Sequence, residues 1–173
     1  SDTLDTSYIV INVSPLEIGH SLLLPSLFLG LPQILTLKSL KLAVDILLTS
    51  GSPAFRVGFN GLCAYATVNH LHFHVYYLNC QMLLEYLDVE HLSGRCYQLP
   101  STYPGRGYVF QIRSNDEIDP VLRDVATLTD YFIENNIAHN LYFSRGTSFG
   151  NSSSTSPRDC VRIFLWPRTS STG

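Results

Sequence analysis

Apolar residues, many of them β-branched or aromatic, concentrate in seven short segments of the chain, which predicts β-strands. The segments run over residues 8–13, 20–25, 55–59, 68–78, 107–112, 139–143 and 161–166. Glycine, proline and serine are frequent between them and favour turns. The pattern therefore predicts a sheet of short strands.

Two longer segments have leucine and valine at three- and four-residue spacing, which predicts helices. The first covers residues 33–50, and the second covers residues 119–135. In the second, Asp119 is predicted as the N-cap and Pro120 as the first helical residue. Helices together with antiparallel strands predict an α+β fold.

The order of these elements divides the chain into two halves. Residues 8–92 are predicted to form a core, and residues 93–173 a second, incomplete strand–helix–strand half that packs on the first. Within the second half, residues 93–105 and 144–159 are rich in glycine, proline or serine and are predicted to be loops, the latter mobile.

Three histidines stand at strict two-residue spacing in the segment 68–78. Strand periodicity would place His70, His72 and His74 on one face, with neighbours roughly 6.6–6.8 Å apart, and the intervening residues in the core. Each imidazole has two nitrogens that need partners, so three in a row are a poor core filling. The three histidines therefore indicate a functional site in preference to a structural role in the core.

Two kinds of chemistry fit such a row. Alternate histidines on a strand can bind one Zn²⁺, but His70 and His74 would lie roughly 13 Å apart, too far for all three to hold one ion. An imidazole can also act as a nucleophile, with its neighbours orienting the ring and holding a phosphoryl group. Both interpretations stay open from the spacing alone.

Residues 70–76 fit the pattern His-φ-His-φ-His-φ-φ, where φ is hydrophobic, and this signature resembles the histidine-triad superfamily. The layout Asn-x-x-Pro-Leu-x-x-Gly-His-x-Leu-x-x-Pro at residues 12–25 is similar to the opening of that fold. Residues 69–78, 137–146 and 161–168 resemble the GDP-D-glucose phosphorylase branch, which is related to the plant GDP-L-galactose phosphorylases. The resemblance implies a histidine-triad fold, with the triad in the core formed by residues 8–92.

The resemblance also implies roles for the histidines. His72, the middle member, would be the nucleophile that becomes guanylylated, and His74 would donate a hydrogen bond to a phosphoryl oxygen. His70 and His20 would form an orienting layer behind them. No metal or other cofactor is implied.

Four further residues are implied in substrate binding. Asn12 resembles the asparagine on the nucleoside side, Asn60 is expected at a phosphate or the ribose, and Thr67 is expected to place its hydroxyl against the α-phosphate. Arg145 is a candidate for guanine or phosphate, because arginine suits phosphate recognition.

Composition narrows the partners and the location. A net charge of −3 gives no general attraction to nucleic acid. No apolar run reaches the length of a membrane span, and no signal peptide is evident. The four cysteines are widely spaced and are predicted to be free thiols in a reducing compartment. These features predict a cytoplasmic protein without nucleic acid or membrane partners.

The expected function is that of a GDP-D-glucose phosphorylase, converting GDP-glucose and inorganic phosphate to GDP and glucose 1-phosphate through a guanylyl-histidine. The alternatives are a nucleotide hydrolase of the same superfamily, a histidine-rich metal site, and a nucleotide-binding fragment that does not turn over. The resembling enzymes extend further at both ends, so this chain is expected to be a central piece. A homodimer is a further expectation.

Overall fold

The computed structural model describes residues 3–150 and 158–169. Its strands are β1 (Tyr8–Ile11), β2 (Ser21–Leu24), β3 (Phe55–Asn60), β4 (Phe73–Tyr77), β5 (Glu90–Ser93), β6 (Cys96–Gln98), β7 (Tyr108–Ile112), β8 (Ala138–Gly146) and β9 (Cys160–Arg168). Its helices are α1 (Leu37–Thr49) and α2 (Asn115–Glu134), with short 3₁₀ turns at Thr3–Asp5, Leu27–Leu29 and Leu83–Glu85. None of the helices in these two ranges is long and apolar enough to cross a membrane.

All nine strands join in one antiparallel sheet, in the order β1-β2-β4-β3-β8-β9-β7-β6-β5. β3 pairs with both β4 and β8, so the centre of the sheet joins residues from the two predicted halves. β5 lies at the far edge beside β6. The α+β class is confirmed, whereas the division at residues 92 and 93 stays a prediction.

Both helices pack on one face of the sheet, because each has an apolar stripe that avoids water there. Alternate residues of the central strands meet these stripes. The fully buried residues of this core include Leu40, Val44, Leu47, Val57, Phe73, Leu122, Val125, Phe143 and Ile163. The predicted leucine stripe of the first helix is therefore core, and the sheet face it covers is closed to substrate.

The opposite face of the sheet carries the remaining alternate residues of four central strands, and we call it the open face. Its members are Arg56, Gly58, Asn60, His74, Tyr76, Asn140, Tyr142, Ser144, Arg162, Phe164, Trp166 and Arg168. The segment after β4 covers part of it, because Arg162 donates hydrogen bonds to the carbonyls of Leu84 and Leu87 at 2.9 and 2.7 Å. The uncovered part is the place for a site.

The start of α2 differs from the prediction. The helix begins at Asn115, after Ser114, and Pro120 lies inside it, so a start at Asp119 is wrong. Proline removes one helical hydrogen bond and crowds the carbonyl four residues earlier, and the helix continues through Pro120 nevertheless. The carboxylate of Glu117 accepts from the backbone N–H of Arg113 at 2.8 Å and pairs with its guanidinium, which holds the first turn.

Two predicted loops are shorter than expected. Residues 96–98 form β6, which pairs with β5 and β7. β5 is exposed along its whole length, so it lacks the apolar pattern that reveals a strand. β8 extends to Gly146, which removes residues 144–146 from the other predicted loop, and residues 151–157 of that loop lie outside the described residues.

α1 begins with a capping box that supplies a test of the fold. The Thr36 hydroxyl accepts from the backbone N–H of Ser39 at 3.2 Å, and the Ser39 hydroxyl accepts from that of Thr36 at 2.9 Å. Thr36→Ala should lower the free energy of unfolding by about 1 kcal/mol, because one orphan N–H loses its partner. Urea unfolding measures the loss. Thr49→Ala, at the exposed other end of α1, is the control, and equal losses for both variants would contradict the capping role.

Candidate active site

The histidine segment enters the sheet later than predicted. β4 begins at Phe73, so only the second half of the predicted strand 68–78 is a strand. The side-chain alternation nevertheless continues upstream of Phe73. The rings of His72 and His74 lie 5.3 Å apart, and Phe73 between them is fully buried in the core.

Gln33 takes the place of a neighbouring strand beside His72. Its Oε1 accepts from the backbone N–H of His72 at 2.9 Å, and its Nε2 donates to the carbonyls of His72 and Asn60 at 3.1 and 2.9 Å. Gln33 is itself buried. A buried amide with every contact made to main chain fixes the backbone that carries the middle histidine. Sequence reasoning did not single out this residue.

The His72 ring is held with one nitrogen available. Its Nδ1 lies 2.8 Å from the carbonyl oxygen of His70, so Nδ1 carries the proton and donates. The neutral ring therefore has its lone pair on Nε2. Only 5% of His72 is exposed, which limits competition from water for that lone pair. His70 contributes to this arrangement through its main-chain carbonyl, whereas its imidazole had been expected in the orienting layer.

A hydrogen-bonded chain fixes the tautomers of His20 and His74. The backbone N–H of Leu16 donates to His20 Nδ1 at 2.9 Å, so the His20 proton is on Nε2. His20 Nε2 lies 2.9 Å from His74 Nδ1 and donates to it. His74 then carries its own proton on Nε2, as a donor to a bound group. The predicted orienting contact of His20 is thus made to His74.

His20 and His74 are neutral at neutral pH. Burial, together with the nearby His72 and His20 rings, lowers the pKa of His74 to about 4. Burial also lowers the pKa of His20 below its ordinary value. The neutral forms keep the hydrogen-bonded chain intact, because His74 Nδ1 must keep a lone pair to accept from His20.

A cavity of about 360 Å³ opens on the open face beside the histidines. Its lining combines the two hydrogen-bonded histidines, two asparagines and several aromatic and aliphatic side chains. The residues are Leu16, His20, Gly58, Asn60, His74, Tyr76, Leu78, Met82, Leu84, Asn140, Leu141, Tyr142 and Trp166. Apolar walls with a few converging polar groups are typical of a small-molecule site.

Three of the predicted binding residues surround this region. Asn12 Nδ2 lies 3.2 Å from His20 Nε2, a contact without a hydrogen bond because both nitrogens carry protons, and Asn12 Oδ1 accepts from the backbone N–H of Ser14. Asn60 ends β3 and lines the cavity. Thr67 is exposed in the loop between Asn60 and His70. Their contacts with substrate stay predictions.

The structure does not bring Arg145 to the histidines. Its Nη2 donates to the carbonyls of Leu47 and Leu48, at 3.2 and 3.0 Å, so it lies at the C-terminal end of α1 on the helix-covered face. The reason is strand parity: Arg145 is an odd-numbered member of β8, whereas Asn140 and Tyr142 alternate onto the open face.

Trp166 is a cavity residue that the sequence alone did not reveal, and Asn140, a weaker sequence candidate for guanine or phosphate, lies beside it. Asn140 lies opposite Asn60 and Trp166 in the sheet, and all three line the cavity. The Asn140 amide also lies 2.8 Å from the carbonyl of Ala64, which ties the loop between Asn60 and His70 to β8. The alternation of β8 and β9 was the available signal.

The zinc interpretation finds no ligand set in the described ranges. Within residues 3–150 and 158–169, no three His, Cys, Asp or Glu side chains are grouped so as to hold a metal ion. His72 Nδ1 is directed to the His70 carbonyl, and His20 and His74 bond to each other. These ring nitrogens are therefore engaged in hydrogen bonds within the protein.

Solved structures with a similar fold include two of yeast Ap4A phosphorylase Apa2 and one of a DUF4931 family protein. Yeast Ap4A phosphorylase Apa2 matches with a TM-score of 0.64 at 16% identity, covering 94% of this chain and 56% of that one. A DUF4931 family protein from Bacillus cereus matches with a TM-score of 0.60 at 12% identity, covering 94% and 82%. Apa2 has also been solved with AMP, at a TM-score of 0.58. The histidine-triad-like fold is confirmed.

Sequence comparison gives much higher identities. Residues 1–76 match the family described as "GDPGP1-like, N-terminal domain". Over 95% of its length the chain is 43% identical to GDP-D-glucose phosphorylase 1 of Bos taurus. The chain is thus similar to the GDP-D-glucose phosphorylases over nearly its whole length. It is also 36% identical to GDP-L-galactose phosphorylase 1 of Arabidopsis thaliana, over 94% of its length and 34% of that protein.

The relation to GDP-D-glucose phosphorylases covers only part of those proteins. The chain spans about 43% of the length of the Bos taurus enzyme and of the Homo sapiens enzyme, to which it is 41% identical over 95% of its own length. The segment that matches the family, residues 1–76, contains His20, His70, His72 and His74.

The lowered pKa of His74 predicts a pH-dependent stability in this relative of the GDP-D-glucose phosphorylases. The unfolded chain takes up the proton near pH 6.5, whereas folded His74 resists it until about pH 4, so stability falls as the pH drops through that window. The contribution is about 1–2 kcal/mol after allowing for partial solvent screening.

Urea unfolding between pH 7 and pH 4 measures this loss. His74→Gln should show a shallower fall than the wild type by about that amount. His91→Gln changes an exposed histidine on β5 and is the matched control. Parallel curves for the wild type and His74→Gln would show that His74 is not held neutral by the fold.

Proposed function

We propose that this chain carries the catalytic histidine of a GDP-D-glucose phosphorylase, which converts GDP-glucose and inorganic phosphate to GDP and glucose 1-phosphate. The observation that carries the proposal is the His72 ring, whose Nδ1 is bound to the His70 carbonyl while Nε2 keeps its lone pair. The activity named for the relatives supports the choice of substrate.

In the first step, His72 Nε2 attacks the α-phosphorus of GDP-glucose. The N–P bond forms, the bond from the α-phosphorus to the bridging oxygen breaks, and glucose 1-phosphate leaves with that oxygen. His72 keeps its Nδ1 proton, so its ring becomes positively charged beside the carbonyl that accepts from it. His74, with its proton on Nε2, donates to a phosphoryl oxygen and stabilises the developing charge.

In the second step, an oxygen of inorganic phosphate attacks the same phosphorus. The N–P bond breaks, the electron pair returns to His72 Nε2, and GDP leaves with the proton of monohydrogen phosphate on its terminal phosphoryl group. Splitting the displacement in two is the usual gain from a covalent intermediate. If water attacks instead, GMP forms and the protein is a hydrolase.

The other expected features stay predictions. We infer thiols in a reducing compartment from the wide spacing of the four cysteines in the sequence. We propose a cytoplasmic location on the composition, and a homodimer on the resemblance. Asn12, Asn60 and Thr67 are proposed contacts of the nucleotide.

The first test is the intact mass of the protein mixed with GDP-glucose in the absence of phosphate. We expect a gain of one guanylyl group, which disappears when phosphate is added and releases GDP. His72→Ala should show no gain, because the nucleophile is missing. Circular dichroism confirms that the variant is folded. A wild-type protein that binds GDP but never gains mass would refute the covalent route.

The second test separates His70 from His72. Since His70 acts through its carbonyl, His70→Ala should retain the guanylylation rate within about tenfold. His72→Ala should lose about 10⁴-fold or more, as expected for a nucleophile. Stopped reactions analysed by mass give both rates. Comparable losses in the two variants would mean that the His70 imidazole takes part in catalysis.

A further inference from the structure

The proposed reaction places two phosphoryl groups at one subsite, and this inference rests on that proposed function. Displacement at phosphorus is in line, so glucose 1-phosphate leaves from the position opposite His72 Nε2. Inorganic phosphate then attacks from that same position. Both groups are dianionic near neutral pH, and neutral histidines alone do not balance their charge. A positively charged residue is needed beside this subsite.

Most of the eleven lysine and arginine residues, all of which lie within the described ranges, are used elsewhere. Six are paired with carboxylates: Lys38, Lys41, Arg56, Arg95, Arg113 and Arg158. Arg145 and Arg162 donate to main-chain carbonyls. Arg106 lines a different cavity together with Glu90, and Arg123 lies on α2 behind the sheet. Among the described residues of the open face, Arg168 is therefore the cation that neither pairs with a carboxylate nor donates to a main-chain carbonyl.

The sheet register places Arg168 next to the catalytic cavity. Asn60, Asn140 and Trp166 stand side by side on adjacent strands and line the cavity. Arg168 is two residues beyond Trp166 in β9, so it follows Trp166 on the same face. It pairs with Ala138 in β8, one step further toward the loop that leads to the triad.

The loop between Asn60 and His70 holds the Arg168 side chain. The guanidinium carbon lies 5.6 Å from the centroid of the Tyr65 ring, within range of a cation–π contact. Tyr65 has a φ of 75°, a costly conformation for a residue with a side chain. Thr67, the hydroxyl expected at the α-phosphate, is two residues further along this loop. With Thr67 expected at the α-phosphate, the contact with Tyr65 points to a place for the guanidinium beside the phosphoryl groups of the substrate.

We propose that Arg168, held by Tyr65, binds the phosphoryl group that leaves as glucose 1-phosphate and the inorganic phosphate that replaces it. Its planar guanidinium can contact two phosphate oxygens at once. The residue thus favours phosphate over water in the second step. It is a specificity residue for phosphorolysis, and in the first step it also balances the charge of the departing phosphoryl group.

The experiment compares Arg168→Gln, Arg168→Lys and Arg123→Gln in this chain. Arg123 is an exposed arginine of α2, and its variant is the matched control for charge. The KM for inorganic phosphate and the ratio of GDP to GMP released from GDP-glucose are measured. Intact mass without phosphate reports the guanylyl-histidine independently.

In Arg168→Gln we expect the KM for phosphate to rise about 10- to 100-fold, because a charged hydrogen-bonding partner is lost. GMP should increase at the expense of GDP, since water competes better for the intermediate. Arg168→Lys should fall between the wild type and the glutamine variant. Arg123→Gln should behave as the wild type does.

The possible outcomes separate the role of Arg168 from the proposed function. If Arg168→Gln forms the guanylyl-histidine and keeps both the KM for phosphate and the product ratio of the wild type, the role of Arg168 is refuted. A change in turnover alone, with KM and product ratio constant, also refutes it. If the wild type forms no guanylyl-histidine, the proposed function itself fails, and Arg168 has no phosphorolysis to direct.

Discussion

The geometry of the candidate site depends on the side-chain amide of Gln33. Three hydrogen bonds join it to the main chain at His72 and Asn60, so a single buried group positions His72 and the end of β3 together. With its backbone fixed, His72 can direct Nδ1 to the His70 carbonyl. The available lone pair of Nε2 follows from that contact, because a neutral imidazole has only one.

One face of the sheet forms the hydrophobic core, and the other forms the cavity. One face is covered by α1 and α2 and contains most of the core. On the other, the buried ion pair between Arg56 and Glu85 attaches the segment after β4 to the sheet. Burial raises the pKa of Glu85 even beside Arg56, so this attachment is held against a desolvation penalty. The attached segment supplies Met82 and Leu84 to the cavity wall.

The sequence predicts the local parts of this site better than the distant ones. The histidine alternation and the pattern around His20 are short-range, and the structure joins His20 to His74. Gln33, Asn140 and Trp166 have no such local pattern, because their roles arise from contacts with residues far away in the chain. Arg145 is a wrong prediction for the same reason. Arginine suits phosphate, but the alternation of side chains along β8 places Arg145 on the helix-covered face.

The helices and strands differ in the same way in how well the sequence predicts them. Strands with apolar residues in the core are predicted, whereas β5 is missed because all four of its residues are exposed. The strong local signal of Asp119 and Pro120 misplaces the start of α2, since the contact between Glu117 and Arg113 stabilises an earlier first turn. This contact is also local, spanning four residues, and it outweighs a capping preference of about 1 kcal/mol at Asp119.

In the proposed reaction, the distribution of charge limits what the histidines can decide. His20 and His74 have pKa values lowered by burial, so they offer hydrogen bonds but no fixed charge. Phosphate and water would both approach the proposed guanylyl-histidine from the same in-line position, and neutral donors would distinguish them poorly. A cation outside the histidine cluster, the role proposed for Arg168, would supply the discrimination. The proposal thus assigns bond formation to His72 and the choice of acceptor to the edge of the open face.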